Sequence, residues 1–374
     1  MSSPSLPSSL LFVAVALLGA CSPPEAPSQD ASRSIAFGER PTNVIFFVSD
    51  GAGAAHWTLA AYADEQLALR QMKTVGLVDT RGADHTVSGS APTATAYATG
   101  VRSVMGAVGV DANLSPAQNL IEHAMARGMS TGVMTTTDLA DATPAAFTVH
   151  VPSRRAMDEI ARQMVTKGVT VLMGGGRAYF RPESRADGLD VLTQARESYT
   201  YVSSITELRS LDPDTVDALL GLFSDGPMGV VEDRGPDALS QMVTSALDIL
   251  GRDPDGFFLM VENEQSDEQS HDNAGQRTIT EEMLDFDRAV RIALEYQSIH
   301  PETLVIVTGD HETGGLALAY DDEVIRSISM RWPTSGHTGT LVPLFASGPG
   351  AERFGGIIRN DEVGRILRDF LIDR

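Results

Sequence analysis

The sequence contains little cysteine, few basic residues and few aromatic residues. Its 374 residues include one cysteine, so no disulfide can form within the chain. Lys and Arg number 28 against 50 Asp and Glu, which gives a net charge of −22 and argues against a basic groove for nucleic acid. An acidic chain can still bind anions where divalent cations reverse the local field. The simplest interpretation of the excess charge is a solvated surface that favours solubility.

Long apolar runs are also scarce. Residues 10–18 are apolar but too few to span a bilayer, and the first twenty residues carry no charged side chain. This pattern predicts an export signal over residues 1–20. The following Leu18-Gly19-Ala20-Cys21 resembles the lipobox of bacterial lipoproteins, which predicts an acylated Cys21, a flexible tether over 21–40 and a periplasmic or cell-surface protein anchored in the membrane. The alternative is an ordinary cleaved signal peptide.

From residue 41 onward, short β-rich runs alternate with helical patterns. This alternation predicts one α/β domain over 41–374, with a central, mostly parallel sheet flanked by helices on both faces. An irregular insertion is expected around 177–235, where Asp, Pro and Gly are frequent. The predicted strands are Val44–Val48, Thr131–Thr136, Val169–Met173, Phe257–Val261, Leu304–Thr308 and Leu341–Ala346. The predicted helices are Pro116–Arg127, Arg154–Lys167, Asp237–Leu250, Glu281–Glu295 and Asp361–Leu371.

Several of the predicted strands end in acidic or imidazole side chains. Asp50, Glu262 and the pair Asp310-His311 each lie at or just past the C-terminal end of an apolar run. Open α/β sheets bind ligands at that edge. Side chains from several strand ends are therefore expected to meet there.

Two groups of these side chains have the donors of a metal site. Asp310 and His311 offer oxygen and nitrogen ligands that suit zinc, although an adjacent pair alone is weak evidence. Asp267 and His271 are four residues apart, which places them on one face of a helical turn, and His337 in a Gly-rich loop is a candidate third ligand. Two such groups would make a binuclear centre, the usual device for clamping the attacking and leaving oxygens in phosphoryl transfer.

A candidate nucleophile lies in the segment 88–100. The pattern predicts a loop opening into a helix, with Ser90 at the helix N-terminus, where the helix dipole favours an anion. A hydroxyl bound to a metal is easier to deprotonate and needs no histidine base. On this stretch alone, a plain N-cap serine is the simpler interpretation.

Taken together, these residues resemble the alkaline phosphatases, in order from about Asn43 to the C-terminus. The resemblance is carried by Asp50-Gly51, the Ser90 segment, Asp141-Ala142-Thr143-Pro144-Ala145 through Arg154, Glu262 through His271, and Asp310-His311 with His337. It implies two zinc ions, one held by Asp267, His271 and His337, the other beside Ser90 by Asp50, Asp310 and His311. It also implies one magnesium ion bound by Thr143 and Glu262, bridged by Asp50, with Asp141 orienting its waters.

The resemblance further implies an enzyme that hydrolyses phosphomonoesters by double displacement through a phosphoserine at Ser90. Arg154 matches the arginine that binds the phosphate, and a guanidinium suits two phosphate oxygens. The family also suggests a homodimer acting on small phosphomonoesters.

Two positions depart from the family pattern. Gly89 stands where known members carry an aspartate that orients the arginine, so a less restrained Arg154 is expected. Glu268 stands where relatives carry Lys, His or Trp, and its charge should weaken phosphate inhibition. The alternatives are a phosphodiesterase or sulfatase of the same superfamily, or an inactive lipoprotein that sequesters metal or phosphate. Thr143 and Glu262 favour the monoesterase, because such relatives generally lack the third metal site.

Overall fold

A ten-stranded sheet forms the centre of the computed structural model, which describes residues 40–320 and 328–372. The described residues form fourteen strands: β1 Asn43–Ser49, β2 Thr74–Asp79, β3 Ser130–Asp138, β4 Val171–Gly175, β5 Thr200–Val202, β6 Leu219–Leu222, β7 Phe257–Asn263, β8 Thr303–Thr308, β9 Glu312–Thr313, β10 Ala317–Tyr320, β11 Ile328–Arg331, β12 His337–Thr338, β13 Val342–Ser347 and β14 Gly356–Arg359. Ten of them make up the large sheet, and β9 with β12 and β10 with β11 form two small ones. The order in the large sheet is β14-β2-β13-β8-β1-β7-β3-β4-β6-β5, and only β13 runs antiparallel to its neighbours. The predicted mostly parallel α/β fold is confirmed. The predicted signal and Cys21 lie outside the described residues.

Helices cover both faces of this sheet. They are α1 Ala54–Ala63, α2 Ser90–Thr99, α3 Leu120–Met125, α4 Ala142–Thr148, α5 Met157–Lys167, α6 Val191–Ala195, α7 Ile205–Arg209, α8 Val231–Arg234, α9 Ala238–Leu250, α10 Gln265–His271, α11 Gln276–Ile299 and α12 Asn360–Ile372. Helices α2 to α5 and α12 pack on one face, and α1, α9 and α11 on the other. None of these described helices is both long and apolar enough to cross a bilayer.

The central strand β1 shows why the sheet is buried on both faces. Its side chains alternate between the two layers: Phe46 packs against Tyr97, with ring centroids 5.3 Å apart, and Phe47 packs against Phe286 at 5.6 Å. Every residue of β1 is buried. Burial of each large apolar side chain contributes about 2 kcal/mol, so this strand holds both helical layers on the sheet.

One predicted helix starts later in the structure than the sequence pattern suggests. A helix was expected from Pro116, but Pro116 forms an antiparallel bridge with Val110, and α3 begins at Leu120. Asn119 is the N-cap: its side chain accepts from the Glu122 N–H, and the Glu122 carboxylate accepts from the Asn119 N–H. This reciprocal capping box defines a stronger helix start than a serine before a proline.

The segment 177–235 contributes β5 and β6, which extend one edge of the large sheet. It is anchored by Arg185, whose side chain is fully buried. The Arg185 guanidinium donates to the carbonyl oxygens of Tyr179 and Asp158 at 2.6 and 2.8 Å, and it pairs with Asp187. These bonds tie the segment to α5.

Candidate metal centre

Acidic and imidazole side chains meet at the C-terminal edge of the parallel strands. Asp50 follows β1, Glu262 lies near the end of β7, and Asp310 and His311 follow β8. Strand β1 lies between β7 and β8, and its Val48 pairs with Glu262 on one side and with the last residue of β8 on the other. The register therefore brings the three strand ends level, as the sequence pattern predicted.

The first cluster consists of Asp50, Asp310 and His311, whose ligand atoms all lie within 4.8 Å of one another. The Nε2 atom of His311 is 3.3 Å from Asp50 Oδ1 and 3.3 Å from Asp310 Oδ2. Both of these oxygens are buried, and neither has a hydrogen bond to any residue that the structure describes. Burial, followed by repulsion from Asp310 and Asp267, raises the pKa of Asp50 well above its usual value. A buried carboxylate is ionised at neutral pH only with a cation beside it, and this donor set fits zinc.

The second cluster consists of Asp267, His271 and His337. In both histidines Nδ1 faces a backbone carbonyl, that of Ser335 at 2.6 Å for His271 and that of Ser88 at 2.9 Å for His337. Because a carbonyl only accepts, each Nδ1 carries the ring proton, and the two Nε2 atoms face each other at 3.1 Å. Ligand histidines are commonly held in this way. Hydrogen bonding to Asp267 raises the pKa of His271 to about 9, so His271 Nε2 carries a proton in the absence of metal. A cation bound between the two Nε2 atoms would displace that proton.

Ser90 lies beside both clusters. It is the first residue of α2, it is buried, and its Oγ atom is 3.4 Å from His311 Nε2. The carbonyl of the nearby Ser88 holds the ring of His337. The first amide groups of a helix have no acceptor within the helix, so this end of α2 favours an anion next to the hydroxyl. The predicted position of Ser90 at a helix N-terminus is confirmed.

A third set of oxygen atoms surrounds Glu262. The Thr135 hydroxyl donates to Glu262 Oε2 at 2.5 Å. The same hydroxyl oxygen accepts from the Thr137 N–H. Burial raises the pKa of Glu262 to about 8. The Thr143 hydroxyl at the start of α4 is buried and makes no hydrogen bond of ordinary geometry to a described residue, although it lies close enough to Glu262 to lower the pKa of that carboxyl. Thr143, Glu262 and the nearby Asp50 offer only oxygen atoms, which are the ligands that magnesium prefers.

Arg154 is held by Asp141. Its Nη2 atom lies 2.5 Å from Asp141 Oδ1, which also accepts from the Ala142 N–H at 2.6 Å. The Arg154 N–H donates to the Gly106 carbonyl, so α5 begins at Met157 and not at the predicted Arg154. Position 89 offers no carboxylate, and the guanidinium pairs with Asp141.

Thr313 and Glu312 contribute to the site without having been predicted. The Thr313 hydroxyl donates to Asp267 and lies 3.2 Å from His311 Nδ1, so it touches one member of each cluster. The Glu312 carboxylate accepts from the Leu316 N–H at 2.9 Å and from the Thr338 hydroxyl. Both residues lie in β9, which pairs with β12 and so brings His337 to the site. The only signal in the sequence was that Glu312 and Thr313 directly follow the predicted ligand His311, and no spacing rule assigns a role to such positions.

Comparison with known proteins agrees with this geometry. The sequence model of the alkaline phosphatase family matches residues 41–329. The chain is 29% identical to alkaline phosphatase 4 of Bacillus subtilis over 87% of each chain. It also resembles the solved alkaline phosphatase of the Antarctic bacterium TAB5, with 34% identity, a TM-score of 0.84, and coverage of 90% of this chain and 100% of that one. A mutant of the TAB5 enzyme has been solved with Mg bound in its M3 site, at 32% identity, a TM-score of 0.81, and coverage of 89% and 99%. The protein therefore belongs to the alkaline phosphatase family and is a phosphomonoester hydrolase.

Proposed function

We propose that this phosphatase acts through a phosphoserine on Ser90, with two zinc ions and one magnesium ion as cofactors. The proposal is supported by the acidic and imidazole side chains that surround Ser90. One carboxylate oxygen each of Asp50 and Asp310 is buried without a hydrogen bond to any described residue, and such oxygens are costly to bury unless a cation lies beside them. The half-buried rings of His271 and His337 point their Nε2 atoms at each other across 3.1 Å, as two ligands of one cation would.

The residues present fit the three ions. Asp267, His271 and His337 would hold one zinc ion, Asp50, Asp310 and His311 the second zinc ion beside Ser90, and Thr143 and Glu262 the magnesium ion, with Asp50 shared. When bound, these cations would lower the pKa of the serine hydroxyl and neutralise negative charge on the phosphate.

Each side chain then has its own role in the reaction. Ser90 Oγ attacks phosphorus, forming the Oγ–P bond as the bond from phosphorus to the leaving oxygen breaks. The guanidinium of Arg154 donates to the equatorial oxygens, and the amide groups at the start of α2 face the same charge. Water then attacks the phosphoserine, and cleavage of the Oγ–P bond releases phosphate and regenerates Ser90.

Hydrolysis of p-nitrophenyl phosphate and of bis-p-nitrophenyl phosphate, each with and without a chelator, tests the proposal. We expect kcat/KM to be far higher for the monoester, and both activities to disappear after chelation and to return with zinc and magnesium. Faster hydrolysis of the diester would contradict the monoesterase assignment. Full activity after exhaustive chelation would contradict the metal assignment.

We propose further that the protein is exported, anchored through an acylated Cys21, and homodimeric. The lipobox-like Leu18-Gly19-Ala20-Cys21 supports the anchor, and the family resemblance supports the dimer. Mass spectrometry of the mature N-terminus tests the first, with an unmodified cleaved end as the contrary result. Light scattering of the protein without its lipid tests the second, and a monomeric mass would contradict it.

A further inference from the structure

A buried histidine lies close to the metal clusters without belonging to either. His56 is in the first turn of α1, and its side chain is fully buried. The Gly53 N–H donates to His56 Nδ1 at 3.1 Å, so Nδ1 carries no proton. The proton is therefore on Nε2, which donates to Ser270 Oγ at 2.9 Å. The Ser270 hydroxyl in turn donates to the Ser266 carbonyl at 2.6 Å, so each bond in this chain has one possible direction.

Burial also keeps the ring of His56 neutral. It lowers the pKa of His56 to about 4, although Asp267 nearby acts in the opposite direction. The ring therefore holds a single tautomer at ordinary pH, because only that tautomer satisfies both Gly53 and Ser270. A neutral ring with both nitrogens bonded works as a rigid spacer between its two partners.

These partners belong to the two segments that carry the metal clusters. Gly53 ends the loop that begins at Asp50, and Ser270 is in α10, which carries Asp267 and His271. The two segments are in direct contact, because a Cβ atom on Gly51 would lie 2.5 Å from Asp267 Oδ1.

A second bond joins the same two segments one helical turn away. The Ser266 hydroxyl donates to the Asp50 carbonyl at 2.6 Å. The bonds at Ser266 and Ser270, together with those of Thr313 to Asp267 and of Ser335 to His271, define the orientation of the helix. That orientation determines how far Asp267 and His271 lie from Asp50.

From this geometry we infer that His56 is a positioning residue, which sets the spacing between the two metal clusters by bonding the loop after Asp50 to helix α10. The inference rests on the proposed assignment of the two clusters as zinc sites. Two-metal phosphoryl transfer requires ions about 4 Å apart, so a change in the orientation of α10 would lower both the affinity for zinc and the rate.

Matched substitutions separate the two bonds of the ring. His56→Asn keeps an acceptor near Nδ1 and loses the donor to Ser270, while His56→Gln places an amide donor near Nε2. Ser270→Ala removes the same bond from the other side and reports on it even if a His56 variant does not fold. His300→Asn is the control, because His300 lies after α11, ahead of β8, at the opposite edge of the sheet.

The measurement is zinc binding to the metal-free protein, titrated against a chromophoric chelator, together with the unfolding temperature of the metal-free protein. We expect His56→Asn and Ser270→Ala each to weaken zinc binding about tenfold, as is usual for residues that orient ligands. The double variant should lose no more than either single variant, and His56→Gln should recover most of the affinity.

Unchanged zinc affinity in His56→Asn and Ser270→Ala would overturn the inference, as would losses that add in the double variant. A lower unfolding temperature with intact zinc affinity would assign His56 a structural role and also overturn it. Wild-type protein that binds no zinc would instead refute the proposed metal sites, so the two failures are distinguishable.

Discussion

At the scale of single residues, buried negative charge dominates the surroundings of Ser90. Among the described residues, Asp50, Glu262, Glu264 and Asp310 are all buried close to one another. Burial, followed by repulsion from neighbouring carboxylates, raises the pKa of Glu264 well above its usual value. A phosphate ester brings further negative charge, so binding depends on bound cations and on the arginine at the opening of the site.

Glu268 is predicted to weaken the binding of product phosphate. It is exposed on α10 next to Asp267, and its charge contributes to the raised pKa of His271. We expect Glu268→Lys to lower the inhibition constant of phosphate about fivefold, since reversing one exposed charge within a few ångströms is worth about 1 kcal/mol. Inhibition assays at low ionic strength measure this. Glu295→Lys, an exposed site near the end of α11, is the control, and equal effects in both variants would contradict the prediction.

Asp141 is predicted to act on the substrate through Arg154. Asp141→Asn keeps an acceptor for the Ala142 N–H but loses the charged partner of the guanidinium, and we expect KM for p-nitrophenyl phosphate to rise about tenfold. In an Arg154→Ala background the same change should have much less effect, because the two residues act together. Steady-state kinetics of the wild type, the two single variants and the double variant test this. Fully additive effects on KM would refute the coupling.

At the scale of secondary structure elements, the segment carrying Arg154 is held by a histidine between two acceptors. His150 Nδ1 lies 2.6 Å from the Gly109 carbonyl and Nε2 lies 3.0 Å from a Glu122 oxygen in α3. Lys167 at the end of α5 binds the same carboxylate. Both ring nitrogens face acceptors, so His150 is protonated when all bonds are made, and the Glu122 hydrogen bond raises its pKa.

The pairing of His150 predicts a loss of stability as the pH rises. The pKa of His150 is higher in the folded protein than in the unfolded chain, so its stabilisation is complete below about pH 6.5 and disappears as the pH rises through the folded value. We expect the free energy of unfolding to fall over that range, because the neutral ring can donate to only one of its two acceptors. Urea unfolding of wild type and His150→Asn at several pH values measures it. If both proteins showed the same pH dependence above pH 6.5, the prediction would fail.

At the scale of the whole molecule, the parts of the site that come from parallel strands could be predicted from the sequence. Asp50, Glu262 and Asp310 follow apolar runs, and the edge rule for parallel sheets brought them together. The position of His337 depends on the short pairing of β9 with β12; its Gly-rich loop made it a candidate ligand, but only the family resemblance assigned it to the cluster of Asp267 and His271. The bond between His56 and Ser270 joins positions 214 residues apart, and no local pattern encodes such a contact.

Metal removal is predicted to destabilise the entire fold. The two zinc clusters join the ends of β1 and β8 to α10 and β12, so ions that bind only the folded chain stabilise all of these elements. We expect free zinc at about 1,000 times its Kd to add about 4 kcal/mol to the free energy of unfolding. Calorimetry with and without zinc tests this, with Asp310→Asn expected to show a smaller gain. An equal gain in that variant would contradict the assigned ligands.

The central claim is that Ser90 carries the phosphoryl group during turnover. The most direct measurement is mass spectrometry of the metal-loaded enzyme, quenched in acid during hydrolysis of p-nitrophenyl phosphate. The account predicts one phosphoryl group, located on Ser90, and neither that adduct nor turnover in Ser90→Ala. Undiminished hydrolysis by Ser90→Ala, or a phosphoryl group on another residue, would contradict it.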